Sequence, residues 1–223
     1  MSKKAKQKKK EELKRLRARA RARAEEKREL RKQFQKYHFL NGEQVRKIVG
    51  ILSSQPDDYL TKAESPKDRW NYYQLEDDFN KIKKVSIGIL IQKVMDAIRR
   101  HNVPVAEIAI ENFFQADPNG TSPDDITPNK VFYTKEYDKG VTVGPIIILQ
   151  EFNRYNRVID GNHRVSDAIL NSKESISAYI ISDDFLLEND CFHLDYDKQL
   201  FEAHQLFHSS YIKKYKEDTL LTQ

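Results

Sequence analysis

The sequence predicts an α+β protein: a small sheet domain with a mainly helical N-terminal region before it and a C-terminal helix after it. Three observations carry this expectation. Apolar residues recur at helical spacing before residue 101 and again after Asp197. Short Val/Ile-rich runs bounded by Gly, Pro, Asn and Asp fill much of 105–182. One of those runs passes through Asp160-Gly161-Asn162 straight into another helical repeat.

The elements follow in order. Ser2 to Lys10 is a lysine run, expected to be disordered on its own. Glu11 to Lys36 consists of strong helix formers, with a sparse stripe of Leu13, Leu16, Ala20, Leu30 and Phe34. Asn41-Gly42 breaks that helix, and Val45, Ile48, Val49 and Leu52 then mark a short amphipathic one. Ser53 to Glu64 reads as a loop, and Ser65-Pro66 as a helix start. Trp70, Tyr72 and Tyr73 are expected in a core or against a partner rather than as a base-stacking platform. Phe79, Ile82, Val85, Ser86, Ile89, Val94 and Ile98 carry a helical repeat to about Arg100, although Gly88 inside it costs about 1 kcal/mol relative to Ala. His101-Asn102-Val103-Pro104 ends it.

Glu107 to Phe113 reads as the first strand. Ala116 to Pro128 is a loop whose Asp117, Asp124 and Asp125 lack EF-hand spacing and are read as solvated. Lys130 to Thr134 is a short strand or turn, and Asp138-Lys139-Gly140 a turn. Gly144 to Glu151 and Arg157 to Asp160 read as adjacent strands joined at Phe152 to Asn156, and Ile176 to Ser182 as a buried strand. Asp183 to Tyr196 is irregular, with room for a helical turn at Phe185-Leu186-Leu187. Leu200, Phe201, His204, Phe207, His208, Tyr211 and Tyr215 then give an amphipathic helix, with Lys213, Lys214 and Lys216 near its negative end. Four regions result: a basic arm at 1–36, a helical region at 37–104, a sheet domain at 105–185, and a C-terminal loop and helix at 186–223.

With 223 residues the chain can bury one good core plus appendages. The net charge of +5 hides a split: residues 1–36 hold 17 Lys/Arg against 5 Glu, leaving 22 Lys/Arg against 29 Asp/Glu elsewhere. The arm, at +12, argues for nucleic acid or another polyanion; a solvated helical extension or partner-binding arm is the competing reading. No run of about 18 apolar residues exists, so no membrane span is expected. The basic N-terminus lacks the apolar segment of a secretory signal. The lone Cys191 fits a reducing compartment and excludes an internal disulfide framework. A cytoplasmic protein is expected.

The chemistry concentrates at Asp160-Gly161-Asn162-His163-Arg164, where a strand ends, the chain turns and a helix begins. The first N–H groups of a helix have no internal partners, and its dipole favours an anion there. Arg164 is suited to phosphate, or else to a salt bridge with an Asp on a neighbouring loop. His163 is a phosphate donor or acid–base group, or a plain surface or buried imidazole. Asp160 orients a metal or ligand, or simply bonds the turn's own N–H groups. Gly161 admits close approach of a ligand or supplies a positive φ. Asn162 is expected as the helix cap. Ser166 follows on the same helix and is grouped with Gly161, Asn162, His163 and Arg164 as ligand-binding.

This motif, preceded by Gly144-Pro145-Ile146-Ile147-Ile148-Leu149 and followed by Ile176-Ser177-Ala178-Tyr179-Ile180-Ile181, resembles the core of the ParB N-terminal/sulfiredoxin superfamily over roughly residues 105–185. The resemblance implies a small mixed-sheet domain that binds a nucleotide or other phosphate ligand at the turn. It implies phosphoryl transfer or nucleotide hydrolysis, with Mg2+, if the site is catalytic. Asp160, His163 and Arg164 would then be the catalytic residues: Arg164 stabilises phosphate charge, His163 relays a proton and Asp160 orients metal or substrate. Sulfiredoxins carry a Cys where Asn162 stands, so sulfinic-acid chemistry through that residue is not expected. Free serine kinases of this fold carry a D-G-H-H-R version and a glutamate in a Pro-x-Glu segment. The matching stretch here, Thr127-Pro128-Asn129-Lys130, has no carboxylate, and Glu107, Glu111 or Glu136 would have to replace it. The alternative class is a non-enzymatic DNA-associated or partner-binding protein working through the arm. A ParB-like nuclease is a subordinate reading.

Overall fold

The computed structural model describes residues 3–56, 59, 72–113, 126–127, 144–153 and 155–215. It is α+β, with two small sheets among the described residues. The chain divides into two compact units: one of Met1–Lys62, Glu76–Ser86 and Gln199–Gln223, the other of Ala63–Leu75 and Ile87–Lys198.

In the first unit, α1 runs from Lys3 to Phe34. The lysine run expected to be disordered is helical from Lys3, in keeping with the good helix propensity of Lys itself. Every described side chain from Gln7 to Glu29 is exposed, whereas Leu30 and Phe34 are buried. The helix α2 (Gly42–Leu52) opens on a capping box: Asn41 Oδ1 accepts from the N–H of Glu43 at 3.0 Å and of Gln44 at 2.9 Å, and Gln44 Oε1 accepts from Asn41 N–H at 2.8 Å. Its expected apolar face, Val45, Ile48, Val49 and Leu52, is buried. Phe34 and Phe79 meet Phe207 edge-on, with ring centroids 5.8 and 5.6 Å away.

The expected helical region at 37–104 contains two strands. β1 (Tyr72–Asp77) and β2 (Val85–Leu90) form a two-stranded sheet, and α3 (Ile91–His101) begins only after them. The repeat from Phe79 to Arg100 is broken by a turn in which Phe79, Asn80 and Lys81 all have positive φ, closed by Phe79 N–H donating to Asp77 Oδ1 at 2.9 Å. Gly88 lies in β2 and not in a helix; its N–H donates to the buried Asp197 at 3.0 Å. α3 ends where expected, with Asn102 in the left-handed conformation.

The second unit is built on a five-stranded mixed sheet of order β3-β7-β5-β6-β4, from β3 (Val105–Ala109), β4 (Ile126–Thr127), β5 (Ile146–Glu151), β6 (Tyr155–Asp160) and β7 (Ser175–Ser182). β5 is central, parallel to β7 and antiparallel to β6. That place explains its unbroken Ile146-Ile147-Ile148-Leu149 run, all of it buried. The strand expected over 107–113 is shorter: from Ile110 to Phe113 the chain winds into a 3-10 turn that puts Ile110 and Phe113 into the core. α4 (Asn162–Leu170) lays Val165 and Ala168 on the same core, against Ile146, Ile148, Val158 and Ala178. The segment after β7, expected to be irregular, holds α5 (Asp183–Glu188), capped by Ser182, and the start of α6 (Asp195–Tyr215). Only Ala178 and Ile181 of β7 are buried, so it is less enclosed than expected.

The expectations for Ser65-Pro66, Trp70, Asp117, Asp124, Asp125, 130–134, Glu136, 138–140 and Lys216 lie outside the described residues.

Cys191 follows α5 and is wholly buried. Burial pushes its thiol up to about 11. Since the thiolate is the reactive form and an unperturbed thiol titrates near about 8.5, the native protein should resist iodoacetamide at pH 8. Labelling should become fast in urea, and native labelling should rise only as the pH approaches the shifted value. Rapid native labelling at pH 8 would contradict this placement.

Candidate functional site

The turn between β6 and α4 is set by local sterics. β6 runs antiparallel to β5, with Asp160 opposite Ile147. Gly161 follows at φ +95, in the left-handed region, and a Cβ there would stand 2.5 Å from Ile146 Cγ2. Both facts demand glycine. Gly161 is the cap residue of α4, and its carbonyl accepts from Val165 N–H at 3.0 Å. Asn162, expected as the cap, is instead the first helical residue, because the cap position has the positive φ that glycine accepts without strain. The Oδ1 atom of Asn162 is buried and has no hydrogen-bond partner among the described residues.

Arg164 locks this turn. Its Nη1 donates to the carbonyls of Gly144 at 2.8 Å and Pro145 at 2.7 Å, and its Nη2 pairs with Asp160 Oδ2 at 2.6 Å. The guanidinium side chain is 14% exposed. Arg164 does form a salt bridge, but to the motif's own Asp160 and not to an Asp on a neighbouring loop. The same contacts bring Gly144-Pro145, at the start of β5, against the turn. His163 is exposed at the second position of α4. Ser166 is buried, and its hydroxyl donates to Asn162 O at 3.0 Å. Asp160, Gly161, Asn162, His163 and Arg164 thus share one turn, and Ser166 spends its hydroxyl on the helix backbone.

The turn offers an anion the first N–H groups of α4, their dipole, and an exposed imidazole. The carboxylate of a serine-kinase-like site is not found among the described residues at this turn. Glu107 lies on β3, separated from β6 by β7 and β5, about 14 Å at ordinary strand spacing. Its carboxylate accepts from Ser175 at 2.9 Å and Ser177 at 2.5 Å, which hold it below the usual carboxylate range. Glu111 is exposed on the 3-10 turn.

A second cluster lies in the first unit. Asp77, at the end of β1, and His204 are 8% and 6% exposed, and His208 is half-buried. His204 Nδ1 lies 2.8 Å and His208 Nε2 3.1 Å from the same oxygen, Asp77 Oδ2. Burial would push the Asp77 carboxyl up, but the hydrogen bonds and charges of the two histidines outweigh it and hold the carboxyl well below its usual range. Sequence reasoning saw His204 and His208 as parts of an apolar stripe. Their one-turn spacing on α6 was the available signal, since two histidines at i and i+4 share a helix face.

Comparison with known proteins found no matching family model, no matching characterised protein and no matching solved structure.

Replacing Gly161 by Ala should destabilise the protein by about 2–4 kcal/mol, from a left-handed non-glycine residue and an overpacked Ile146 contact. Urea unfolding of wild type and variant checks this; an unchanged midpoint would mean that the turn relaxes without cost.

Proposed function

We propose that the chain is a ParB/sulfiredoxin-like protein that binds a phosphate-bearing ligand, a nucleotide by class, at the turn between β6 and α4. One observation carries the reading. The Asp160–Arg164 turn and the Gly144-Pro145-Ile146 strand start, far apart in sequence, are cross-linked by Arg164 and packed through Gly161, presenting the opening of a nine-residue helix. The N–H groups of that helix and His163 receive the phosphate. A ligand hydroxyl donates to the buried Asn162 Oδ1, which has no partner among the described residues.

In this reading Arg164 is a positioning residue: its Nη atoms bond Gly144, Pro145 and Asp160 and hold the turn in place. His163 is the acid–base candidate if phosphoryl transfer or nucleotide hydrolysis occurs, with Mg2+ bound by the ligand's phosphates and oriented by Asp160. The arm α1 has a separate role. Its exposed Lys and Arg residues suit nucleic acid, as each neutralised phosphate releases counterions.

The test is a thermal-shift and calorimetric screen of the full chain with ATP, ADP, CTP and GTP, each with and without Mg2+. A nucleotide binding only the native state at 100 times its dissociation constant adds about 2.7 kcal/mol. One nucleotide should raise the melting temperature, and His163→Ala should weaken its binding about tenfold or more without lowering the stability of the unliganded protein. Binding that survives in His163→Ala and collapses with salt belongs to α1. No shift with any nucleotide would overturn the proposal in favour of a non-enzymatic protein that works through its arm.

A further inference from the structure

We propose that Asp77, His204 and His208 form a three-ligand site for a first-row divalent transition ion, with Zn2+ as its first occupant. The inference is independent of the phosphate site. Three donors, His204 Nδ1, His208 Nε2 and an Asp77 carboxylate oxygen, lie within 4.8 Å of one another. The histidines come from successive turns of α6 and the aspartate from the end of β1, so the set is held by two regular elements.

The geometry is close to that of an occupied site. A tetrahedral zinc centre with bonds near about 2.0–2.1 Å separates neighbouring donors by about 3.3 Å. The two imidazole nitrogens stand 2.8 and 3.1 Å from Asp77 Oδ2. Both nitrogen–oxygen separations are thus within about half an ångström of those in a tetrahedral centre, and the three donors together lie within 4.8 Å. The second carboxylate oxygen is held by Phe79 N–H at 2.9 Å, an outer hydrogen bond that orients the ligand.

Surroundings and donor chemistry choose the class of ion. Phe201 stacks on His204 at 5.9 Å and Phe207 meets His208 edge-on at 5.1 Å, an apolar wall that strengthens electrostatic attraction inside it. Two imidazoles and one carboxylate suit Zn2+, Ni2+ or Co2+, whereas Mg2+ and Ca2+ prefer oxygen throughout. An ion bound by both imidazoles displaces any protons they carry, and the carboxylate then supplies one negative charge against the dication. His208 is 31% exposed in its side chain, so solvent reaches this end of the cluster and could supply a fourth ligand. Three protein ligands with one open position is the arrangement of zinc sites that remain reactive. In the fold, the ion would fasten the β1 end to α6.

The test uses the full chain without a histidine tag, stripped with a chelator and desalted. Zn2+, Co2+ and Mg2+ are then titrated by calorimetry and thermal shift, and Co2+ binding is followed by its visible absorption. The expected result is retention of about one equivalent of Zn2+ after gel filtration, a higher melting temperature, a Co2+ band typical of nitrogen and oxygen ligands, and no response to Mg2+. His208→Gln, at the more exposed ligand, should keep the fold yet weaken Zn2+ binding at least about tenfold and abolish the Co2+ band. Asp77→Asn should weaken it likewise. No Zn2+ or Co2+ binding by the wild type would overturn the site and leave the cluster as a hydrogen-bonded link between β1 and α6. Equal binding by wild type and His208→Gln would also overturn it, assigning the metal to other histidines.

Discussion

The second unit depends on a close approach that only glycine permits. Gly161 passes Ile146 so tightly that a single added carbon would meet its side chain at 2.5 Å. Because the chain turns there, β6 ends beside the start of β5 and α4 leaves in a direction that puts Val165 and Ala168 into the core. Arg164 fastens the same corner through two carbonyls and Asp160. Packing and hydrogen bonding therefore act on the same few residues. The polar groups that look like a binding motif are, in the first instance, the ones that close the sheet onto its helix.

This dual use explains what was legible in the sequence. The β5 and β6 strands, the turn and α4 are contiguous, and their signals are local: an Ile run, Asp-Gly-Asn, then an i, i+3, i+4 repeat. The roles inside the turn were less visible, since a cap can be asparagine or glycine and the choice depends on the space left by Ile146. Farther back, Val85, Ile89, Val94 and Ile98 satisfy a helical period, and Ile87 with Ile89 equally satisfy a strand. The strand is realised because Gly88 weakens a helix and because Asp197, distant in sequence, accepts its N–H. No window around residue 88 contains that partner.

The Asp77 cluster is the extreme case of the same limit. Its histidines lie 127 and 131 residues beyond the carboxylate. On α6 they share the buried stripe with Leu200, Phe201 and Phe207, so periodicity assigns them to the core, which is where His204 lies. What periodicity omits is the cost of burying an aspartate, which stays tolerable only when the charge has partners. Two imidazoles on one oxygen supply those partners, and the same convergence makes the group competent for a metal ion.

Charge separates the ligand questions in a way that total composition conceals. The arm carries a net +12 and the remainder −7, so a polyanion bound by charge alone would sit on α1 and its binding would fall steeply with salt. The turn has a different balance. There the Arg164 cation is matched at 2.6 Å by the Asp160 carboxylate, which removes most of its long-range field. An anion at the turn would be held by helix N–H groups, the short-range helix dipole and His163. Such binding depends on direct hydrogen bonds more than on counterion release, and so declines more gently with ionic strength. Salt dependence therefore distinguishes the two surfaces by their physics, whichever phosphate compound is used to probe them.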